Sequence, residues 1–337
     1  MGVRSSIEGM RTPPPPSPAS PGAIATFPAA AHRAAALAAQ QHGFITWGQA
    51  LACGADNGLI RRLLRGRHWA RVYPRVYAVR GMPEPADENR RLHQRVMAAQ
   101  LSLGSAAFAG GGTAARLWGM QGLPRWDGQE VHMVIPALGA QRHVRGIVLH
   151  TWDTAEDEVT ATESGIRLTT PGRTLRDTLL HVDRETGVCL IDSALNRGLV
   201  RRTDLPKLHA ANRRRKGCRR VGDWWALGDD RAQSPLETRI RLVCVDGGLP
   251  PTSLQRPFTD ARGRIFAVAD LWWEDLRVIG ECDGLGPHSQ TEVLAYDRER
   301  QNALQASYPG TRIVRFTWED TYRPAYVLAT VAGSDRR

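Results

Sequence analysis

The chain has 337 residues, 42% hydrophobic and 23% charged, which is enough material for about two or three domains with proper cores. No apolar run reaches the length of a bilayer span and the opening residues lack the apolar stretch of a secretory signal, so a cytoplasmic protein with no membrane partner is expected. The net charge of +11 favours a polyanionic partner, and the whole excess lies upstream: residues 236–337 hold 13 Arg against 14 acids, the rest of the chain 32 Lys or Arg against 20 acids.

Residues 1–30, with their PPPP run, read as a disordered tail with partial polyproline II character. Within residues 31–80, an Ala-rich helix over 31–41 comes first. Thr46 can cap a short second helix, and Asp56 a third in which Leu59, Ile60, Leu63 and Leu64 recur at helical spacing. Two β-prone pieces, HWARVY and RVYAV, then hinge at Pro74. Three helices followed by a β-ribbon is the order of a winged helix-turn-helix. Residues 60–80 carry seven arginines, one histidine and no acid. Arg61, Arg62, Arg65 and Arg67 lie on or just beyond the third helix, and Arg71 and Arg75 lie on the ribbon. Such a helix can enter the major groove while flanking cations hold phosphates, so these six are the candidate DNA contacts. The same residues also suit an ordinary solvated arginine-rich face.

Residues 85–200 read as an α/β domain: a helix over ADENRRLHQRVMAAQLSL, a glycine-led helix start at GGGTAARLWGM, strands EVHMVIP and GIVLHTW, then two amphipathic helices. Residues 201–233 open with nine Lys or Arg and one Asp in the first twenty positions, and read as a solvated basic linker. Residues 234–331 show a helix ended by Gly-Gly-Leu-Pro, strands RIFAVADLWW and LRVIGECDG joined by a turn at Glu274-Asp275, a helix over about 291–306, and a strand TRIVRF. The order is α-β-β-α-β, giving an α/β multidomain chain overall. Cys53, Cys189, Cys218, Cys244 and Cys282 are scattered and form no C-x-x-C pair, against a disulfide framework or structural zinc.

The last domain carries the chemistry. Asp270 ends one strand; Glu281 and Asp283, two apart, share a face of the next. If the two strands pair as a hairpin, Asp270 reaches the same edge, and Glu237 on the preceding helix is a fourth acid. Converging carboxylates repel unless a cation neutralises them, which is how Mg²⁺ sites that activate water against a phosphodiester are built. The alternatives are that Asp283-Gly284 is only a turn dipeptide, that Glu237 pairs with Arg241 along its helix, and that Asp297 and Arg300 form a surface pair.

S-P-L-E at 234–237, Gln255, Asp270, G-E-C-D-G at 280–284 and Asp297-x-x-Arg300 together resemble the very-short-patch-repair (Vsr-like) endonucleases of the PD-(D/E)XK superfamily. That resemblance, over about 100 residues, implies an endonuclease-like fold with Asp270 and Glu281 as ligands of a Mg²⁺ cofactor, Glu237 as the helix-borne acid, and His288 as the histidine near the site. The superfamily's usual lysine is replaced by Asp283, and no lysine follows Lys216. Upstream, G-F-I-T at 43–46, W-x-R-V-Y-P-R-V-Y-A-V from Trp69, G-G-x-T-A-A-x-L-W-G at 110–119 and L-T-T-P-G-R-T-L-R-D at 168–177 are similar to AbiEi-type abortive-infection antitoxins. That similarity implies DNA binding in a toxin–antitoxin setting, with no toxin partner visible. Three functions stay open: a metal-dependent DNA endonuclease of phage defence or repair, a non-enzymatic regulator built on a spent nuclease fold, or RNA or tRNA binding by the basic linker.

Overall fold

A computed structural model of the chain describes residues 28–80, 87–135, 144–260, 262–283, 303–304 and 306–333. These form a mixed α/β structure with three separate sheets. The Pro-rich tail lies outside the described residues as far as residue 27.

Helix α1 (Ala29–Gln40) leads through β1 (Phe44–Thr46) into α2 (Trp47–Ala52), α3 (Asn57–Arg65) and the hairpin β2 (Trp69–Tyr73) and β3 (Val76–Val79). Both expected caps are present. The Gln49 amide N–H donates to the Thr46 hydroxyl while the Gln49 side chain accepts from the Thr46 N–H, and Leu59 N–H donates to Asp56 at 2.6 Å. Strand β1 is too short to show an alternating pattern. It forms because β3 offers it an open edge, giving the antiparallel order β1-β3-β2. Ala34, Ala38, Ile45, Ala50, Leu59, Ile60, Leu63, Trp69 and Tyr77 fill the core beneath.

The next sheet has the order β6-β5-β4-β8-β7. It is built from β4 (Phe108–Ala109), β5 (Val131–Val134), β6 (Ile147–His150), β7 (Val159–Ala161) and β8 (Arg167–Thr169), with α4 (Glu88–Leu103), α5 (Gly111–Leu117), α6 (Pro171–Leu179) and α7 (Arg184–Asn196) as its helices. The helices and the two longer strands match the sequence expectation. Strands β4, β7 and β8 are two or three residues each, and their extended form is set by neighbours in space rather than by local pattern.

Residues 201–233 are tied down rather than solvated throughout. After α8 (Leu205–Ala211), the buried Asn212 donates to the Arg176 carbonyl, Arg215 pairs with the buried Asp177, and Arg220 donates to the Leu180 and Val182 carbonyls. Val221, Trp224 and Trp225 join the same core as Leu179, Leu190 and, from the next helix, Leu242. Basic residues dominate the composition, and the apolar anchors that follow them decide the packing. Gly187 shows the consequence inside α7. A Cβ there would sit 2.6 Å from the Trp224 ring. Helix propensity alone favours alanine by about 1 kcal/mol, but the clash wins. Gly187→Ala is expected to lower stability by about 1–3 kcal/mol in urea unfolding.

The last sheet runs β12-β11-β10-β9, with β11 (Val278–Cys282) parallel to β12 (Arg312–Phe316) and antiparallel to β10 (Ile265–Trp273), which is antiparallel to β9 (Ser253–Thr259). Helices α9 (Pro235–Asp246) and α10 (Pro324–Ala332) supply Leu236, Ile240, Cys244, Val327 and Val331 to a core with Leu254, Leu271, Trp273, Val278 and Phe316. A second core holds Phe258, Ala267, Ala269, Trp272, Ile279 and Leu304. The β10–β11 hairpin turns at Glu274-Asp275 as expected. Strand β9 is an addition, and its Pro257 is tolerable because β9 is an edge. Most of the helix expected over 291–306, with Asp297 and Arg300, lies outside the described residues. All five cysteines are free thiols. Among the described residues no helix is long and apolar enough to cross a membrane.

Candidate functional site

Ser234 caps α9 by accepting the Glu237 N–H at 3.2 Å, which fixes Glu237 in the first helical turn. The Glu237 side chain does not run along the helix to Arg241. Its Oε2 turns back to accept the Gln233 N–H and the Gln255 side-chain amide, each at 3.0 Å. The same Gln255 Nε2 donates to Asp270 Oδ1 at 3.1 Å, and Asp270 Oδ2 accepts the Cys282 N–H at 2.9 Å. Helix α9 and strands β9, β10 and β11 are thus joined at one point. Burial holds the Glu237 carboxyl above the usual carboxylate range, and the nearby Asp270 charge pushes the same way. The protonated form is therefore favoured by folding. This contribution to stability is present at low pH and is lost as the pH rises through the raised value.

The strands deviate from regular pleating at this point. Leu254 and Phe258 are four residues apart, and Ala269 and Leu271 two apart, spacings that keep one face in a regular strand. Yet Leu254 and Leu271 enter the core under α9 and α10, while Phe258 and Ala269 enter the other. Both strands change sides between these residues, where Gln255 lies opposite Asp270. Gln255 has φ +50°, a left-handed conformation that costs a non-glycine residue of order 1–3 kcal/mol. The irregularity aims Gln255 and Asp270 at the first turn of α9.

Glu281 is buried at 7% exposure, as its setting between Gly280 and Cys282 in β11 requires. One step beyond the Leu271–Gly280 pair, the antiparallel register brings it level with Asp270. Its carboxylate is engaged elsewhere: Arg315, its partner in the parallel β11–β12 register, donates Nε to Glu281 Oε2 at 3.1 Å and lies 3.8 Å from Asp283 Oδ2. Asp283 is mostly exposed at the strand end. His288 and Gly284 lie outside the described residues.

Magnesium takes oxygen ligands at about 2.0–2.1 Å. Asp270 and Glu237 supply oxygens of the right kind, and one amide nitrogen already bridges them. Glu281 would have to leave Arg315 to join them. Among the described residues no group of three or more His, Cys, Asp or Glu side chains is arranged to hold a metal.

Two couplings escape the sequence reading of the site. Gln255 stands among the residues singled out in the sequence, but its bridge between Glu237 and Asp270 depends on β9 and has no local signal. Arg315 is one arginine in a short strand, and only the parallel register reveals it as the counter-ion of Glu281.

The basic face is the second candidate. Leu59, Ile60 and Leu63 point α3 inward, leaving Arg61, Arg62 and Arg65 exposed; Arg67, Arg71 and Arg75 are exposed along the turn and hairpin. No ion pair joins any of the six to an acid among the described residues. Arg67 and Arg75 both have positive φ, at +56° and +59°. Arg75 also lies 5.8 Å over the Trp47 ring, whose Nε1 donates to Asn57.

No family model matches the chain. Relatives do exist. Two uncharacterized proteins of Mycobacterium tuberculosis, from strains CDC 1551 / Oshkosh and H37Rv, are each 28% identical over 239 residues, covering 71% of this chain and 84% of theirs.

Proposed function

We propose that the chain is a DNA-binding protein whose N-terminal unit is a winged helix-turn-helix and whose C-terminal unit is a Vsr-like, metal-dependent DNA endonuclease domain. The observation that carries the DNA reading is the set of six exposed arginines without acidic partners on α3 and the adjoining hairpin. The element order α1-β1-α2-α3-β2-β3, with sheet order β1-β3-β2, suits a winged helix. In that arrangement α3 would lie in the major groove and the hairpin against the backbone. Arginine's planar fork serves both phosphate oxygens and guanine edges.

For the C-terminal unit, the supporting geometry is Glu237 and Asp270 converging on Gln255, with Glu281 one register step away. Asp270, Glu237 and Glu281 would hold a magnesium ion, which when bound would activate water and offset charge on the phosphodiester. Asp283 is exposed at the strand end, where the superfamily's lysine would stand, and His288 would sit on the following segment. One observation favours a second reading, a regulator or antitoxin with a spent nuclease fold. Gln255 already bridges Glu237 and Asp270 by hydrogen bonding, and Arg315 already neutralises Glu281.

The DNA reading is tested by fluorescence anisotropy on duplex DNA across a salt series. Arg61→Ala with Arg62→Ala is expected to weaken binding at least about tenfold at low salt. It should also reduce the slope of log K against log salt by about 0.9 for each phosphate contact removed. Unchanged affinity and slope would rule out α3 as the reading element.

A further inference from the structure

Two cavities of about 670 Å³ each flank Arg95, between the β2–β3 hairpin and α4. The size suits a small organic molecule. One of them is lined by Val72, Tyr73, Pro74, Leu103 and Val144 as its apolar wall, with Arg95, Arg145 and Ser102 as its polar groups. No acid lines it among the described residues. Arg95 is placed with care. Its Nη2 donates to the Gln129 carbonyl at 3.1 Å, and its guanidinium occupies the space over Gly146, where a Cβ would lie 2.8 Å from Nη2. Gly146 also has φ +77°, so it serves the turn and the arginine together.

Two polar atoms here lack partners. Arg95 Nε and Tyr73 Oη are both buried without a hydrogen bond, and Tyr73 is only 7% exposed. Leaving such groups unpaired costs about 1–3 kcal/mol each. An unpaired buried guanidinium nitrogen beside an unpaired phenol, with a second arginine and no acid on the wall, is complementary to an anion.

We propose that this cavity is a binding site for a small organic anion, a carboxylate or phosphate head on an apolar body. The head would be taken by Arg95 and Arg145, with Tyr73 and Ser102 donating, and the body would lie against Val72, Pro74, Leu103 and Val144. Binding here requires nothing of the DNA-reading or nuclease proposals.

The test is isothermal titration of the full chain with 1-naphthylacetate, using 1-naphthylmethylammonium as a probe of matched body and opposite charge. One saturable site for the carboxylate is expected, with much weaker binding of the ammonium. Arg95→Gln with Arg145→Gln should weaken the carboxylate at least about tenfold, as loss of charged hydrogen bonds does. If that double variant melts early, Ser102→Glu, on the half-exposed end of α4, sets a like charge against the head and should weaken binding by a similar factor. Equal binding of the two probes, the absence of a saturable site, or a folded variant that binds like the parent overturns the assignment.

Discussion

Arg241→Ala is expected to destabilise the chain by about 3–5 kcal/mol, measured by urea unfolding at neutral pH. Arg241 on α9 donates Nη2 to Asp192 Oδ2 of α7 at 2.7 Å and Nη1 to the Leu227 carbonyl at 2.9 Å. Both side chains are nearly inaccessible, at 8% and 2% exposure. Asp192 also accepts from the Thr238 hydroxyl and the Asp229 N–H. Removing the arginine leaves a buried carboxylate with neutral donors only, which is where the penalty arises. The pH dependence gives a second signature. Burial already raises the Asp192 carboxyl above its ordinary value despite Arg241. Without the cation it should rise further, so the variant's deficit should shrink as the pH is lowered and a proton replaces the arginine. Asp192→Leu combined with Arg241→Met should recover most of the loss, since apolar replacement of a buried pair is often neutral or better. A deficit below about 1 kcal/mol that does not vary with pH would mean that the pair is not what joins α7 to α9.

That helix pair also marks how far the sequence could be read. Thr46 and Asp56 announce their helices because a cap is a local device, needing only its own next three residues. The β10–β11 hairpin is legible for the same reason. Arg241 is not: four residues from Glu237, it invites an intrahelical pair, and its real partner is 49 positions upstream. Likewise, the basic composition of 201–220 suggests solvent, while Asn212, Arg215 and Arg220 are used to grip α6 and the turn after it. At the candidate site, Glu237, Asp270 and Glu281 could be singled out because acids amid apolar residues need a reason to be there. Their couplings could not, since Gln255 and Arg315 take part only through strand registers that no local pattern encodes.

Supercoiled plasmid incubated with the full chain and Mg²⁺ or Mn²⁺ is expected to be nicked, and Asp270→Ala should reduce the rate at least about a hundredfold. That is the scale on which loss of one preorganised electrostatic group acts. Asp270 is the residue to change because it is the hub: one oxygen faces the Gln255 amide shared with Glu237, and the other accepts the Cys282 N–H at the end of β11. In a nuclease built on this site, Glu237 would set the pH profile. Its carboxyl is raised by burial, and it must be ionised to accept a cation. Cleavage should therefore fall away with acid at a higher pH than for an ordinary carboxylate. Adding a divalent ion should itself lower that midpoint, because a bound cation favours the charged form. If the chain binds DNA yet leaves it intact with every divalent metal tried, and Asp270→Ala changes neither binding nor stability in the presence of metal, the hydrogen-bonded arrangement of Glu237, Gln255 and Asp270 is the final one. The carboxylates would then serve to anchor α9 to the sheet, and the arginine face would carry the function by itself.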